Sequence, residues 1–419
     1  MNVAIVTDYL PQYHKIWSGA ELIAVSLSDM LKGRGCSTFF ITTPFDFPVQ
    51  QLNGDIFPVN TPLKRLGTLS RNFPIDFPAI RNVQKVLKDK KADIVHINAK
   101  YLFLPALIAS LGLNIPAVFT VPDYFIFCPT SFLRKPDGSS CEAYCGRGCC
   151  DCLPILSDGA MKKLAGLAPA VLISSLLSLR AAEFKYLLGK VSSFIALSEK
   201  SKKRLCEFGI SQEKVRVAYH YRLAEPGETQ EEIDNPAAIF VGWLSEENGT
   251  GVLVDAFGEV VDAMGDARLY LVGEGTSDYV TRLRERVDKR GIRKNIIFLG
   301  KRKNEEVLSL VSKCDVAVVP HQWPKEFGPV ILLEALALGK PVITSGIGAT
   351  EEYVKDGENG FIVKDYRDAA PFAEKIKAVL SEPEMARKMG EKGRESASFL
   401  SEGRAAEEIV GLYRDLVSG

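Results

Sequence analysis

The chain has 419 residues, with 52 Lys and Arg against 52 Asp and Glu, so its formal net charge is zero. That length exceeds one ordinary hydrophobic core and predicts two domains. The charge balance excludes a general basic field for holding nucleic acid, and the ordinary apolar fraction fits a globular protein.

The opening stretch MNVAIVTDYL has no basic n-region, and Asp8 interrupts its apolar run. It reads as a first buried strand rather than a signal peptide, with a cytoplasmic location expected. Further apolar runs follow at 37–43, 93–98, 117–121 and 192–198, separated by helical patterns such as GAELIAVSLSDMLKGRG over 19–35. This is the βαβ rhythm of a parallel sheet. The run LAGLAPAVLISSLLSL, 164–179, would reach about 24 Å as a helix, short of the roughly 30 Å of a bilayer core. Lys162, Lys163 and Arg180 flank it and Pro169 interrupts it. It reads either as a buried helix or as one lying on the inner membrane surface with its basic ends near anionic headgroups.

The rhythm pauses over 221–236, a polar stretch with Pro226, Gly227 and Pro236 that reads as a linker. A second series of strands is expected at 237–242, 267–273, 295–300, 315–320 and 341–345. Residues 1–220 and 237–400 are therefore read as two doubly wound domains, with a last helix over 401–419. In such sheets ligands sit at the carboxyl ends of the strands.

Six of the nine cysteines crowd into 128–152. In a cytoplasmic chain this favours metal over disulfides. Cys149 and Cys152 form C-x-x-C, and with Cys128 and Cys141 they offer a tetrahedral thiolate set for a structural zinc. Cys145 and Cys150 would be spare. An iron–sulfur cluster, or thiols without metal, remain open alternatives. Cys36, Cys206 and Cys314 are isolated and read as buried apolar residues.

EFGPVILLEALALGKPV, 326–342, places Glu326 before a helix start at Gly328-Pro329 and Glu334 inside the helix. Pro329 suits the first helical position, and Gly328 admits a ligand close to the backbone. The free N–H groups there would seat an anion, and carboxylates accept strong hydrogen bonds from hydroxyls. A diphosphate with a hydroxyl-rich group on each side, such as a sugar nucleotide, would meet all three features. The bland alternative is a solvated loop acid and a surface helix acid.

The stretch 326–363 resembles the E-x7-E block of retaining glycosyltransferases of family 4. SGAE (18–21), IALSEKSKKRL (195–205), FVGWLSEENG (240–249), LVGEG (271–275) and FLG (298–300) fall in that family's order. The resemblance implies an α/β GT-B fold, two doubly wound Rossmann-like domains facing a central cleft. It implies an acceptor-side N-terminal domain, a donor-binding C-terminal domain, and a last helix returning to the first. It assigns Glu326 to the transferred sugar and Glu334 to the nucleotide ribose. Gly19, Phe327, Gly328, Pro329 and Val330 are implied donor-binding positions. Transfer would proceed with retention through an oxocarbenium-like state, the leaving diphosphate acting as base. Some members of the family show a similar cysteine insertion.

The sequence departs from the family where an Arg and a Lys normally bind the diphosphate; here stand Trp243 and Asn248. Charge at such a site is worth several kcal/mol, and a helix dipole offsets only part. Three readings compete. His14, Lys15, Arg222, Lys301 or Arg302 substitute as cations; Trp243 stacks on a different donor, such as a lipid-linked sugar; or the protein binds without transferring. Pro122 replaces a family His, while Asp123 remains, either orienting an acceptor hydroxyl or serving as a turn residue. No Asp-x-Asp signature is present, in line with a family that needs no metal at the diphosphate. The reading is a glycosyltransferase acting from a nucleotide-sugar on a glycan, polyol or lipid-linked acceptor, with peripheral association at the inner membrane face. A non-catalytic sugar- or nucleotide-binding protein is the alternative, and a sugar-nucleotide epimerase is less well matched.

Overall fold

The computed structural model describes residues 1–15, 19–47, 54–66, 76–131, 133, 135, 141, 149, 152, 170–218, 226–234, 236–323, 328–398 and 402–418. The chain forms two compact units, Met1–Arg222 with Glu402–Gly419, and Leu223–Ser401.

A parallel strand covered on both faces needs successive rather than alternating apolar residues. In β1 (Asn2–Thr7) every residue from Val3 onward is buried. It is joined by β2 (Ser37–Thr42), β3 (Ile56–Pro58), β4 (Ile94–Asn98), β5 (Ala117–Thr120), β6 (Ser193–Ala196) and β7 (Val215–Val217). The sheet is ordered β3-β2-β1-β4-β5-β6-β7, all pairs parallel. The helices of this unit are α1 (Gly19–Gly33), α2 (Phe77–Asp89), α3 (Phe103–Leu111), α4 (Ala170–Leu188) and α5 (Glu199–Glu207).

The second unit holds β8 (Ala237–Val241), β9 (Arg268–Val272), β10 (Ile296–Gly300), β11 (Val316–Val319), β12 (Val342–Ser345) and β13 (Gly360–Val363). Their order is β10-β9-β8-β11-β12-β13, again parallel. Its helices are α6 (Thr250–Ala263), α7 (Ser277–Arg290), α8 (Asn304–Lys313), α9 (Val330–Ala337), α10 (Thr350–Tyr353), α11 (Ala369–Ser381) and α12 (Pro383–Ala397). The final helix, α13 (Glu402–Ser418), belongs to the first unit. There Tyr413, fully buried, bonds through its hydroxyl to Nδ1 of His96 on β4, whose Nε2 meets Thr120 Oγ1 on β5 at 2.7 Å. Burial pushes His96 down to about 3, so the ring is neutral.

One expectation changes here and another narrows. The polar stretch read as a linker is, over its described residues, fastened to the second unit. Gly227 N–H donates to the Glu305 carbonyl at 3.0 Å, Arg302 pairs with Glu231 at 2.8 Å, and Asp234 N–H donates to the Tyr270 hydroxyl at 2.9 Å. Arg180, which the membrane-surface reading of its helix would place near headgroups, is 1% exposed, as the buried reading has it. It donates to the Phe125 carbonyl, and its guanidinium lies 4.3 Å from the Phe184 ring centre. Leu177, Phe184 and Leu188 bury one face of α4, while Leu179 and Tyr186 are exposed. Among the described residues no helix is long and apolar enough to cross a membrane.

Candidate functional site

In an open parallel sheet, the crevice lies where the strand order reverses. In the second unit that point is between β8 and β11. The loop after β8 is drawn against the end of β11. Gln322 N–H donates to the Glu247 carbonyl at 2.8 Å, and Gly249 caps α6 in the left-handed conformation at φ 72°. A Cβ at Gly249 would fall on the Pro320 carbonyl, so only glycine lets the loop close there. Trp243 projects from this loop, 50% exposed. Asn248 Nδ2 donates to the Trp243 carbonyl at 2.7 Å. Asn248 thus braces the loop in which the family places a lysine.

Gly328 is left-handed at φ 68°, and an added Cβ would stand 3.0 Å from the Tyr353 ring. Pro329 is extended (φ −70°, ψ 128°) and caps the helix rather than occupying its first position; α9 begins at Val330. The change is physical as well as positional. An extended cap turns the chain so that its own carbonyl closes the first turn, accepting from Leu332 N–H at 3.1 Å. The positive end of α9 still opens at Gly328.

Glu334 sits in the second turn of α9, 7% exposed. Among the described residues its hydrogen-bond partner is Asn304 Nδ2 at the start of α8, at 3.5 Å, the limit of a hydrogen bond. Burial pushes its carboxyl up to about 7, with Asn304 opposing weakly. Asn304 was not singled out by sequence reasoning, nor was Ser345. Ser345 ends β12, and its buried Oγ finds no hydrogen-bond partner among the described residues. Ser345 stands at a strand end and Asn304 opens the helix that follows one, which is the signal that could have marked them. Glu326 and Phe327 lie outside the described residues, as does Arg222. Of the other candidate cations, Arg302 is paired with Glu231 and Lys301 is exposed in the loop after β10.

In the first unit the order reverses between β1 and β4. Asp8, just past β1, is 4% exposed. It accepts from the N–H groups of Lys100 (2.7 Å), Tyr101 (3.0 Å) and Leu102 (3.0 Å) after β4. Burial still raises its carboxyl above the ordinary value, these donors and Lys100 opposing. Asp123, after β5, caps a short turn by accepting from Phe125 N–H at 2.9 Å, and its other oxygen pairs with Lys100 Nζ. The turn role is therefore realised, and the pairing adds a cation, Lys100, that sequence reasoning missed. Gly19 opens α1, where the Ala20 carbonyl accepts from Asn98 Nδ2 at 2.6 Å. His14 is buried, bonded to Leu10 and Thr43, and Lys15 Nζ lies 5.6 Å from the Phe47 ring centre.

Cys128 and Cys152 are buried, and Cys141 and Cys149 are half-buried. Among the described residues no three His, Cys, Asp or Glu side chains group to hold a metal ion. Cys145 and Cys150 lie outside the described residues. Cys36 and Cys314 are buried as expected of apolar residues, and burial pushes the Cys314 thiol up to about 12; Cys206 is only half-buried.

Two parallel-sheet Rossmann-like units define the GT-B class of glycosyltransferase fold. Residues 224–396 match the family described as Glycosyl transferases group 1, and residues 17–136 match Glycosyltransferase Family 4. Through these segments the chain belongs to the family 4, group 1 glycosyltransferases. Alpha-D-kanosaminyltransferase of Streptomyces kanamyceticus is 24% identical over 184 residues, 44% of this chain and 46% of its own. An uncharacterized glycosyltransferase of Methanocaldococcus jannaschii is 27% identical over 236 residues, 56% and 62% of the two chains. The chain spans about half the length of the curated relatives it matches. Among solved structures, Anabaena HepE in complex with UDP-glucose superimposes with a TM-score of 0.71 at 18% identity, covering 99% of this chain and 100% of that one. That likeness establishes the fold.

Proposed function

We propose that this protein is a glycosyltransferase that moves a sugar from a nucleotide-sugar to a glycan, polyol or lipid-linked acceptor, with retention at the anomeric carbon. The observation that carries this reading is the pairing of an open helix end at Gly328 with the buried, under-bonded carboxyl of Glu334. A diphosphate is drawn to the positive end of α9. A ribose hydroxyl would give Glu334 the donor that Asn304 supplies only at 3.5 Å. The UDP-glucose complex of HepE supports a nucleotide-sugar donor by analogy of fold.

In this reading Glu326 holds the transferred sugar, the acceptor attacks on the face from which the diphosphate leaves, and a diphosphate oxygen takes the acceptor proton. Lys100 and Asp123 stand at the acceptor-side crevice, where Asp123 would orient a hydroxyl while Lys100 holds the carboxylate in place. Association with the inner membrane face rests on the apolar segment 164–179, which runs into α4, and belongs to the same proposal. So does the structural zinc.

A second reading has its own support. Trp243 and Asn248 replace both family cations, and Asn248 is turned onto the Trp243 carbonyl. A protein that binds a sugar or nucleotide without transferring it, or one using a lipid-phosphate donor, would show this. A thermal-shift screen with UDP, GDP, ADP and TDP and their sugar conjugates separates them. A ligand at a hundred times its Kd stabilises by about 2.7 kcal/mol. A shift with one base, and transfer lost in Glu326→Ala without loss of folding, fits the transferase. No shift with any nucleotide would sink the nucleotide-sugar reading.

A further inference from the structure

The carboxyl ends of the second unit's strands form the candidate donor site. The opposite edge of the same sheet holds a cavity of about 790 Å³. Pro236 before β8, Asp315 before β11 and Pro341 before β12 line it, together with the C-terminal end of α9 and the facing sides of α11 and α12. Its volume is that of a small-molecule pocket.

The charges around it do not cancel in pairs. Arg387 is occupied by Glu384 at 2.8 Å and by Glu391. Asp315 accepts from Ala237 N–H at 2.8 Å. Arg394 gives one Nη2 to the Leu338 carbonyl at 3.1 Å and forms no ion pair among the described residues. Lys340, half-buried, makes no side-chain hydrogen bond or ion pair among the described residues, and its pull toward Asp315 is through space only. Burial pushes the Lys340 ammonium below its ordinary value; Asp315 and then Cys314 oppose this, and the Arg394 charge adds a smaller push in the same direction as burial. Lys340 and Arg394 both line the cavity. The negative end of α9 accounts for one cation and for the Arg394–Leu338 bond. It does not account for a second one left unbonded in a cavity. Val379, Leu380 and Ala386 supply an apolar wall beside the pair.

We infer that this cavity binds a small phosphate-bearing molecule, its phosphoryl group held between Lys340 and Arg394. Planar Arg and point-charge Lys are complementary phosphate ligands. The Asp315 carboxylate offsets part of the field, which favours a single phosphoryl group over a polyphosphate. The apolar wall would receive the organic part if there is one; free phosphate would use the cations alone.

The test is equilibrium dialysis of the full chain with radiolabelled glucose 6-phosphate, and separately with inorganic phosphate. Saturating nucleotide from the screen above is present throughout, so that the N-terminal end of α9 is not the site being read. Binding at a Kd of about 1 mM or tighter is expected. Lys340→Gln or Arg394→Gln should weaken it at least tenfold, and Arg394→Lys should retain most of it. Tighter binding of the sugar phosphate than of phosphate identifies an organic phosphate as the ligand class; equal binding identifies phosphate itself. Circular dichroism confirms that each variant is folded. No binding of either probe at about 10 mM, or binding unchanged in the two Gln variants, overturns the inference. Because the readout is binding at the far end of α9, its failure leaves the transferase reading standing.

Discussion

Asp8 and Glu334 are both buried carboxylates at the carboxyl edge of a parallel sheet, and burial raises the carboxyl of each. Their surroundings differ in one respect that decides their use. Asp8 accepts three backbone N–H bonds that tie the loop after β4 to the end of β1. Among the described residues Glu334 has one bond, at the distance limit. A satisfied buried acid holds a fold together, whereas an under-satisfied one is open to a ligand's donors. The first unit has thus committed its buried acid to its own backbone, and the second has left an acceptor waiting.

Substitution at the two acids should separate these roles. Asp8→Ala leaves buried N–H groups without an acceptor and should destabilise the protein by about 3 kcal/mol, measured by urea unfolding. Glu334→Gln should leave the protein folded but weaken the selected sugar nucleotide by about 2 kcal/mol, roughly thirtyfold, in a calorimetric titration. An unchanged affinity would remove Glu334 from the site.

The same pair predicts opposite pH behaviour for the free and bound forms. The folded Glu334 carboxyl lies near 7, above its ordinary value. Its favourable contribution to stability is therefore complete below the unfolded carboxylate range and is lost as pH rises through about 7. Free protein should lose stability between pH 5 and 8, and Glu334→Gln should flatten that slope. A bound ribose favours the ionised acid, so sugar-nucleotide affinity should rise with pH across the same window. A sugar nucleotide has no phosphate that titrates there, so the effect would report on Glu334. A pH-independent affinity would argue against a hydroxyl–carboxylate contact.

A smaller effect probes the loop that replaces the family cations. Trp243→Arg with Asn248→Lys should tighten nucleoside diphosphate binding by about tenfold, on the order of 1.4 kcal/mol. Weaker binding would instead mean that the indole holds the donor. Smallest of all, Tyr413→Phe removes one buried hydroxyl from His96 and should cost about 1 kcal/mol of stability with no change in nucleotide affinity.

Much of this was legible in the sequence, and the gaps have physical causes. Long buried strands such as β1 and β9 announce themselves as apolar runs. The strands β3 and β7 have only three residues, too few to show a pattern. The helix at Gly328 was visible because Gly-Pro punctuation is local. The position of Pro329 was missed by one residue because a proline φ near −70° suits both a cap and a first helical position, and only ψ, which the sequence does not show, separates them. Nor could the sequence choose between a buried and a headgroup-facing Arg180. Its burial rests on Phe125 and Phe184, and an aromatic layer that accepts a guanidinium leaves no periodic trace. Asn304 lies thirty positions from Glu334, so the weakness of their bond could not be read before the fold was known.

The membership of α13 in the first unit has a consequence for how this chain is made. Ribosomal synthesis delivers β4, with His96, long before Tyr413 emerges, and all of the second unit must be translated in between. Until then the His96 imidazole lacks the partner that its burial requires, and a face of the first sheet waits uncovered. The second unit is continuous in sequence and can fold as it is released, while the first must remain unfinished until the last helix arrives. The nascent first unit should therefore be the stage at which the chain is most dependent on chaperones.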